Sequence, residues 1–249
     1  MIPFFVRAAS IFLIFAVGLA SAETKINLNP QYGSQVYFPP AIFTPDLDAG
    51  VSMKDQVIVV FHGFRSALPN GTFKRIREMM SETHSVIGVN YEYFDIEGTK
   101  KLLGQLRTDY LKGREVAVVG TSLGGYWANW FGHQVEADKI VLLNPVSNPA
   151  IFLRKYIALV VPSQRRDISF FVSAEDVARY REIPIERSED PKTLLILTED
   201  DPRIDHLETL SAWGGEPNVE TLVYRSGGHT MNLKKHPARE AVRSFLATE

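Results

Sequence analysis

From residue 56 onward the chain alternates short, unbroken apolar runs rich in β-branched residues with amphipathic stretches of helical period. The apolar runs are Gln56–Phe61, Val86–Tyr91, Glu115–Val119, Lys139–Leu143, Thr193–Leu197 and Thr221–Tyr224. Helices are expected over Phe73–Glu82, from Thr99 to about Leu111, from Leu123 to about Gln134, from about Ile204, and after Pro237. A strand without polar alternation has to be covered on both faces, and a helix between successive strands returns the chain so that they run parallel. The pattern predicts an α/β fold, a mostly parallel central sheet with helices on both faces. The rhythm lapses over residues 146–190, where Pro149, Pro162 and Pro184 punctuate two short helical patterns, and a small lid insertion is expected there. Asp205 followed by Glu208 reads as the N-cap and N3 residues of the helix after the Thr193–Leu197 strand. Residues 25–55 are rich in Pro and Asp and leave room for one or two edge strands.

The amino terminus places Arg7 before the apolar run Ile11–Leu19 and then Ala20-Ser21-Ala22. This is the pattern of a secretory signal peptide over residues 1–22, with cleavage expected after Ala22. The run is interrupted too early by Ser10 and Arg7 to span a bilayer, which takes about 20 apolar residues, so no stable membrane anchor is expected after cleavage. The expected location is exported, periplasmic or secreted. With 0 cysteines in the chain, stability has to come from a core rather than from cross-links. Residues 23–249 are long enough to bury one as a single domain. The net charge is −2, and the cations form scattered pairs such as Lys100-Lys101 and Lys234-Lys235, which excludes a nucleic-acid footprint. The oligomeric state is open, with a monomer as the working assumption.

Four polar sites follow four of the predicted strands, and in open α/β sheets ligands bind beyond the carboxyl ends of the strands. The first is Gly120-Thr121-Ser122-Leu123-Gly124, a GxSxG at the junction of a strand and a helix. Average Gly and Ser usage would supply such a pentapeptide about 0.1 times in a chain of this length, so its setting carries the weight. A strand feeding a tight turn into a helix is the nucleophile-elbow arrangement, with Ser122 as nucleophile and the Leu123 N–H as an oxyanion donor. The second site is Phe61-His62-Gly63-Phe64, whose turn offers the Phe64 N–H as the other donor. The third is Thr198-Glu199-Asp200-Asp201, where a carboxylate can orient an imidazole; Asp201 is the first choice and Asp200 the alternative. The fourth is Ser226-Gly227-Gly228-His229, with His229 as general base, since an unassisted hydroxyl is a poor nucleophile at neutral pH. Tyr126, Phe152 and Tyr156 are candidates for lining a substrate pocket, although an aromatic just past the elbow is more often core packing. No zinc or calcium ligand spacing is present, so neither a metal nor another cofactor is expected.

Ser122, Asp201 and His229 occur in the chain order of the α/β-hydrolase superfamily, and the sequence resembles in particular the small bacterial YqiA-like esterases. The likeness lies in Phe61-His62-Gly63-Phe64, Gly120-Thr121-Ser122-Leu123-Gly124-Gly125-Tyr126, Leu143-Asn144-Pro145-Val146, Asp201-Pro202-Arg203-Ile204-Asp205 and Gly227-Gly228-His229, and runs from about residue 57 to the end. The resemblance implies a serine esterase acting on a small-molecule ester, with Ser122, Asp201 and His229 in the catalytic positions. The alternatives are a thioesterase, peptidase or polyester hydrolase using the same three residues, or a non-catalytic binding protein of the same fold. The signal peptide and about 30 further amino-terminal residues depart from the family pattern.

Overall fold

The computed structural model describes residues 41–162, 169–187 and 189–247; the signal peptide expected over residues 1–22 lies outside them. Seven strands form the central sheet: β1 (Ala41–Phe43), β2 (Gln56–Phe61), β3 (Ser85–Asn90), β4 (Glu115–Thr121), β5 (Lys139–Leu143), β8 (Lys192–Thr198) and β9 (Val219–Tyr224). Their order is β1-β3-β2-β4-β5-β8-β9. Every pairing is parallel except that of β1, which runs antiparallel along β3. β1 is one of the edge strands expected from residues 25–55.

The continuous apolar strands are covered on both faces, as their composition requires. Along β2, Val57, Val59 and Phe61 pack with Trp127 and Phe131 on one face, while Ile58 and Val60 pack with Phe73, Ile76, Val242 and Leu246 on the other. The first face carries α3 (Ile96–Leu106) and α4 (Leu123–Gln134), the second α2 (Gly71–Met80) and α8 (Ala238–Ala247). A short α1 (Pro45–Asp48) follows β1, and α7 (His206–Trp213) connects β8 to β9.

Helix ends differ from the sequence expectation by a few residues, for local reasons. α2 starts at Gly71 because the Asn70 side chain accepts from the Phe73 N–H, and α3 starts at Ile96 because Asp95 accepts from the Gly98 N–H. α3 then closes in a wider π turn over Arg107–Leu111. Asp205 does cap α7, accepting from the N–H groups of Leu207 and Glu208.

Between β5 and β8 the excursion contains α5 (Pro149–Arg154) and α6 (Ala174–Arg179). The antiparallel pair β6 (Val160–Pro162) and β7 (Ser169–Phe171) lies between them. The hairpin is absent from the sequence reading. Strands of three residues, one of them ending in Pro, fall below what alternation can signal.

The register sets the site. Phe61 is opposite Gly120, Thr121 opposite Leu143, Leu143 opposite Ile196, and Thr198 opposite Tyr224. The residues that follow these strand ends therefore emerge side by side along one edge of the sheet.

Candidate active site

At the end of β4 the chain enters α4 through Ser122, which has φ 57° and ψ −126°. This is a conformation an L-residue holds only when its surroundings over-determine it. Three backbone bonds do so: the Ser122 N–H donates to Leu143 O at 3.0 Å, and Ser122 O accepts from Gly125 at 2.9 Å and from Val146 at 3.0 Å. The glycines of the motif make the turn possible. A Cβ on Gly120 would stand 2.2 Å from Gly124 O, one on Gly124 2.3 Å from His62 O, and one on Gly125 2.6 Å from the Pro145 side chain. Ser122 itself is 2% exposed. Leu123 is the first residue of α4, so its N–H is one of the donors a helix leaves unused at its start, at the positive end of the helix dipole.

The His62-Gly63-Phe64 turn is pressed against this serine: a Cβ on Gly63 would lie 3.1 Å from Ser122 Cβ and 3.6 Å from its Oγ. Two tyrosines of the segment after β3 hold the turn, with Tyr91 Oη donating to His62 O and Tyr93 Oη to Ser66 O, both at 2.7 Å. The His62 ring stacks on Tyr91 at 4.7 Å. The sequence pattern places Tyr91 only as the end of the strand Val86–Tyr91 and gives Tyr93 no role.

On the other side, His229 Nδ1 donates to Asp201 Oδ2 at 2.8 Å, with side-chain exposures of 9% and 1%. The second Asp201 oxygen accepts from the N–H groups of Arg203 (2.8 Å) and Ile204 (3.1 Å). With Nδ1 committed to a carboxylate, the neutral ring carries its lone pair on Nε2, the arrangement of an oriented general base. Asp200 points elsewhere, accepting from the N–H groups of Gly228 (2.8 Å) and Gly227 (3.2 Å). The hydrogen bond from Gly228 holds its carboxyl below the usual range. One aspartate thus meets the imidazole and its neighbour braces the loop that carries it.

Asn144, directly after β5, joins the two sides. It sits at φ 41° and is 1% exposed. Its Nδ2 donates to Thr198 Oγ1 and Gly228 O, both at 3.0 Å, and to His229 O at 3.3 Å, while its Oδ1 accepts from the Thr198 N–H at 2.9 Å. In the sequence Asn144 stands out only as part of the Leu143–Val146 motif.

The candidate lining residues divide. Phe64 is 6% exposed, and its ring lies 6.2 Å from Phe152, 5.2 Å from Tyr156 and 5.1 Å from Tyr93. The α5 segment is thereby packed against the turn at Phe64, with Phe152 and Tyr156 half-buried there. Tyr126 is buried at 4% exposure, and its hydroxyl donates to Ile183 O in the excursion; burial pushes that hydroxyl up to about 12. Its place is a tie between α4 and the excursion. Glu92, after β3, is also buried, which pushes its carboxyl up to about 8. Among the described residues no cluster of His, Asp or Glu is arranged to hold a metal ion.

The model of the uncharacterised protein family UPF0227, the YqiA-like family, matches residues 57–237. The chain belongs to this family. No curated protein matches the sequence. Among solved structures, this member of the YqiA-like family is similar to Est1E from Butyrivibrio proteoclasticus, with TM-score 0.60 and 13% identity over 83% of this chain and 92% of that one. It is likewise similar to mouse alpha/beta hydrolase domain-containing protein 10, with TM-score 0.58 and 14% identity over 78% and 89%. The esterase Pf2001 of Pyrococcus furiosus gives TM-score 0.54 and 18% identity over 78% and 81%. These likenesses establish the α/β-hydrolase fold.

Proposed function

We propose that this YqiA-like protein is a serine hydrolase that cleaves carboxylic esters through an acyl-enzyme. The observation that carries the reading is the Asp201–His229 hydrogen bond at the sheet edge where Ser122 is held in a strained turn. That a structural neighbour is described as an esterase supports it. In this reading His229 Nε2 accepts the Ser122 proton as Oγ attacks the ester carbonyl, and then passes that proton to the leaving alcohol. Asp201 orients the ring and stabilises its charged form. The N–H groups of Phe64 and Leu123 hold the oxyanion, each worth about 3–4 kcal/mol in comparable sites. Water then attacks the acyl group with the same assistance and releases the acid. Export, with cleavage after Ala22, belongs to the same proposal, and the mass of the protein recovered from its host would test it.

Ser122→Ala is expected to abolish hydrolysis of p-nitrophenyl acetate and butyrate; wild-type turnover in that variant would sink the assignment. A fluorophosphonate probe separates the enzyme from a binding protein of the same fold. Covalent labelling at Ser122 is expected, and an unreactive serine in folded protein would favour the binding module.

A further inference from the structure

The turn that presents the Phe64 N–H is held from two directions. From the body of the sheet, Tyr91 and Tyr93 grip the carbonyls of His62 and Ser66, and the Ser66 N–H donates to Gly63 O at 3.1 Å. These bonds secure the two ends of the turn. At its middle, Arg65 has φ 66°, a left-handed conformation in which glycine is the residue of least strain. A side chain kept there at a cost should do something glycine would not. The Arg65 Nε–H donates to Pro162 O at 2.7 Å, a partner 97 residues away on β6 of the excursion. The neighbouring Phe64 ring meets the same excursion through Phe152 and Tyr156.

We propose that Arg65 is a positioning residue, whose guanidinium ties the middle of the oxyanion turn to the β6–β7 hairpin and so aims the Phe64 N–H. The inference rests on the serine-hydrolase reading of the same site. As a contribution to stability, an exposed hydrogen bond of this kind is small. As a constraint on geometry it matters more, because a misplacement of about 1 Å at a reacting centre can cost about 100-fold in rate.

The decisive variant is Arg65→Gly, which keeps the left-handed backbone available and removes the side chain together with its guanidinium. With p-nitrophenyl butyrate its kcat is expected to fall about 10-fold or more, with KM within about twofold and the melting temperature close to that of the full-length wild-type chain. Arg65→Lys, which can still donate to Pro162 O, is expected to recover part of the loss. Phosphonylation of Ser122 by a fluorophosphonate, which also builds negative charge against the oxyanion donors, should slow in parallel. Wild-type kcat in Arg65→Gly overturns the proposal, as does a rise in KM at constant kcat, which would mean that the guanidinium shapes the pocket or touches substrate. Ser122→Ala is measured alongside: if it is inert while Arg65→Gly is fully active, only the role of Arg65 falls. If Ser122→Ala remains active, the reading of the site falls and takes this inference with it.

Discussion

The two sides of the candidate site are built by different physics. The serine side is held by contact: Gly120, Gly124 and Gly125 let β4, α4 and the end of β2 approach to distances at which any Cβ would strike a neighbour, backbone in two of the three cases. The histidine side is held by hydrogen bonds from distant parts of the chain, with Asn144, Asp200 and Asp201 all reaching the loop that carries His229. Contact between backbones is steep and tolerates no addition. A hydrogen-bonded loop can lose one tie and keep its fold, at the expense of aim. In the proposed mechanism the first arrangement suits a nucleophile that must be strained, the second a base that must be turned to a defined angle.

The largest effect is therefore expected from adding one carbon on the serine side. In Gly124→Ala the new Cβ would meet His62 O at 2.3 Å and Phe61 O at 2.7 Å, and neither backbone atom can swing away as a side chain would. Overpacking of this kind costs about 1–3 kcal/mol and sometimes more, and here it also pushes the His62–Phe64 turn off the elbow. A steep drop in melting temperature together with loss of esterase activity is expected; an unchanged melting curve would show that packing is not what holds this side. Asp201→Asn comes next and separates chemistry from fold. The amide can keep a hydrogen bond to the ring but favours the wrong tautomer, a change worth about 10⁴ in kcat in comparable triads. The melting temperature should stay near that of the wild type. A kcat within a few-fold of wild type would remove Asp201 from the mechanism.

The same contrast explains what was legible in the sequence. The sheet, its parallel sense and most strand positions could be read because unbroken apolar runs such as Val57–Phe61 have few other uses. The elbow could be read because the residues that must lack a side chain all fall within Gly120 to Gly125. Asp201 and Asp200 could only be ranked, since what divides them is which one the Gly227 and Gly228 N–H groups reach, and those donors lie 27 and 28 residues on. Asn144 stands in a family motif, but nothing local shows its role: its side-chain partners are 54 to 85 residues away. Arg65 is equally silent, because both its positive φ and its bond to Pro162 are properties of the folded turn.

Asn144 gives the smallest expected change and the finest test, since it belongs to neither side alone. Asn144→Gly leaves the φ 41° conformation at ease and removes the side chain with its amide. The Thr198 N–H then loses its acceptor in a buried place, and Gly228 O and His229 O lose a donor. Leaving such groups unpaired costs about 1–3 kcal/mol, or a melting temperature lower by roughly 2–10 °C for a domain of this size. Thr198 Oγ1 still donates to Gly228 O at 3.1 Å, and Asp200 still accepts from the two glycines. The loop should therefore stay in place but hold His229 less tightly, with kcat reduced about 10-fold, well short of the Asp201→Asn loss. If Asn144→Gly instead falls as far as Asp201→Asn, the loop has no redundancy. The histidine side would then be as intolerant as the serine side, and the distinction between contact and hydrogen bonding would not describe how this edge is built.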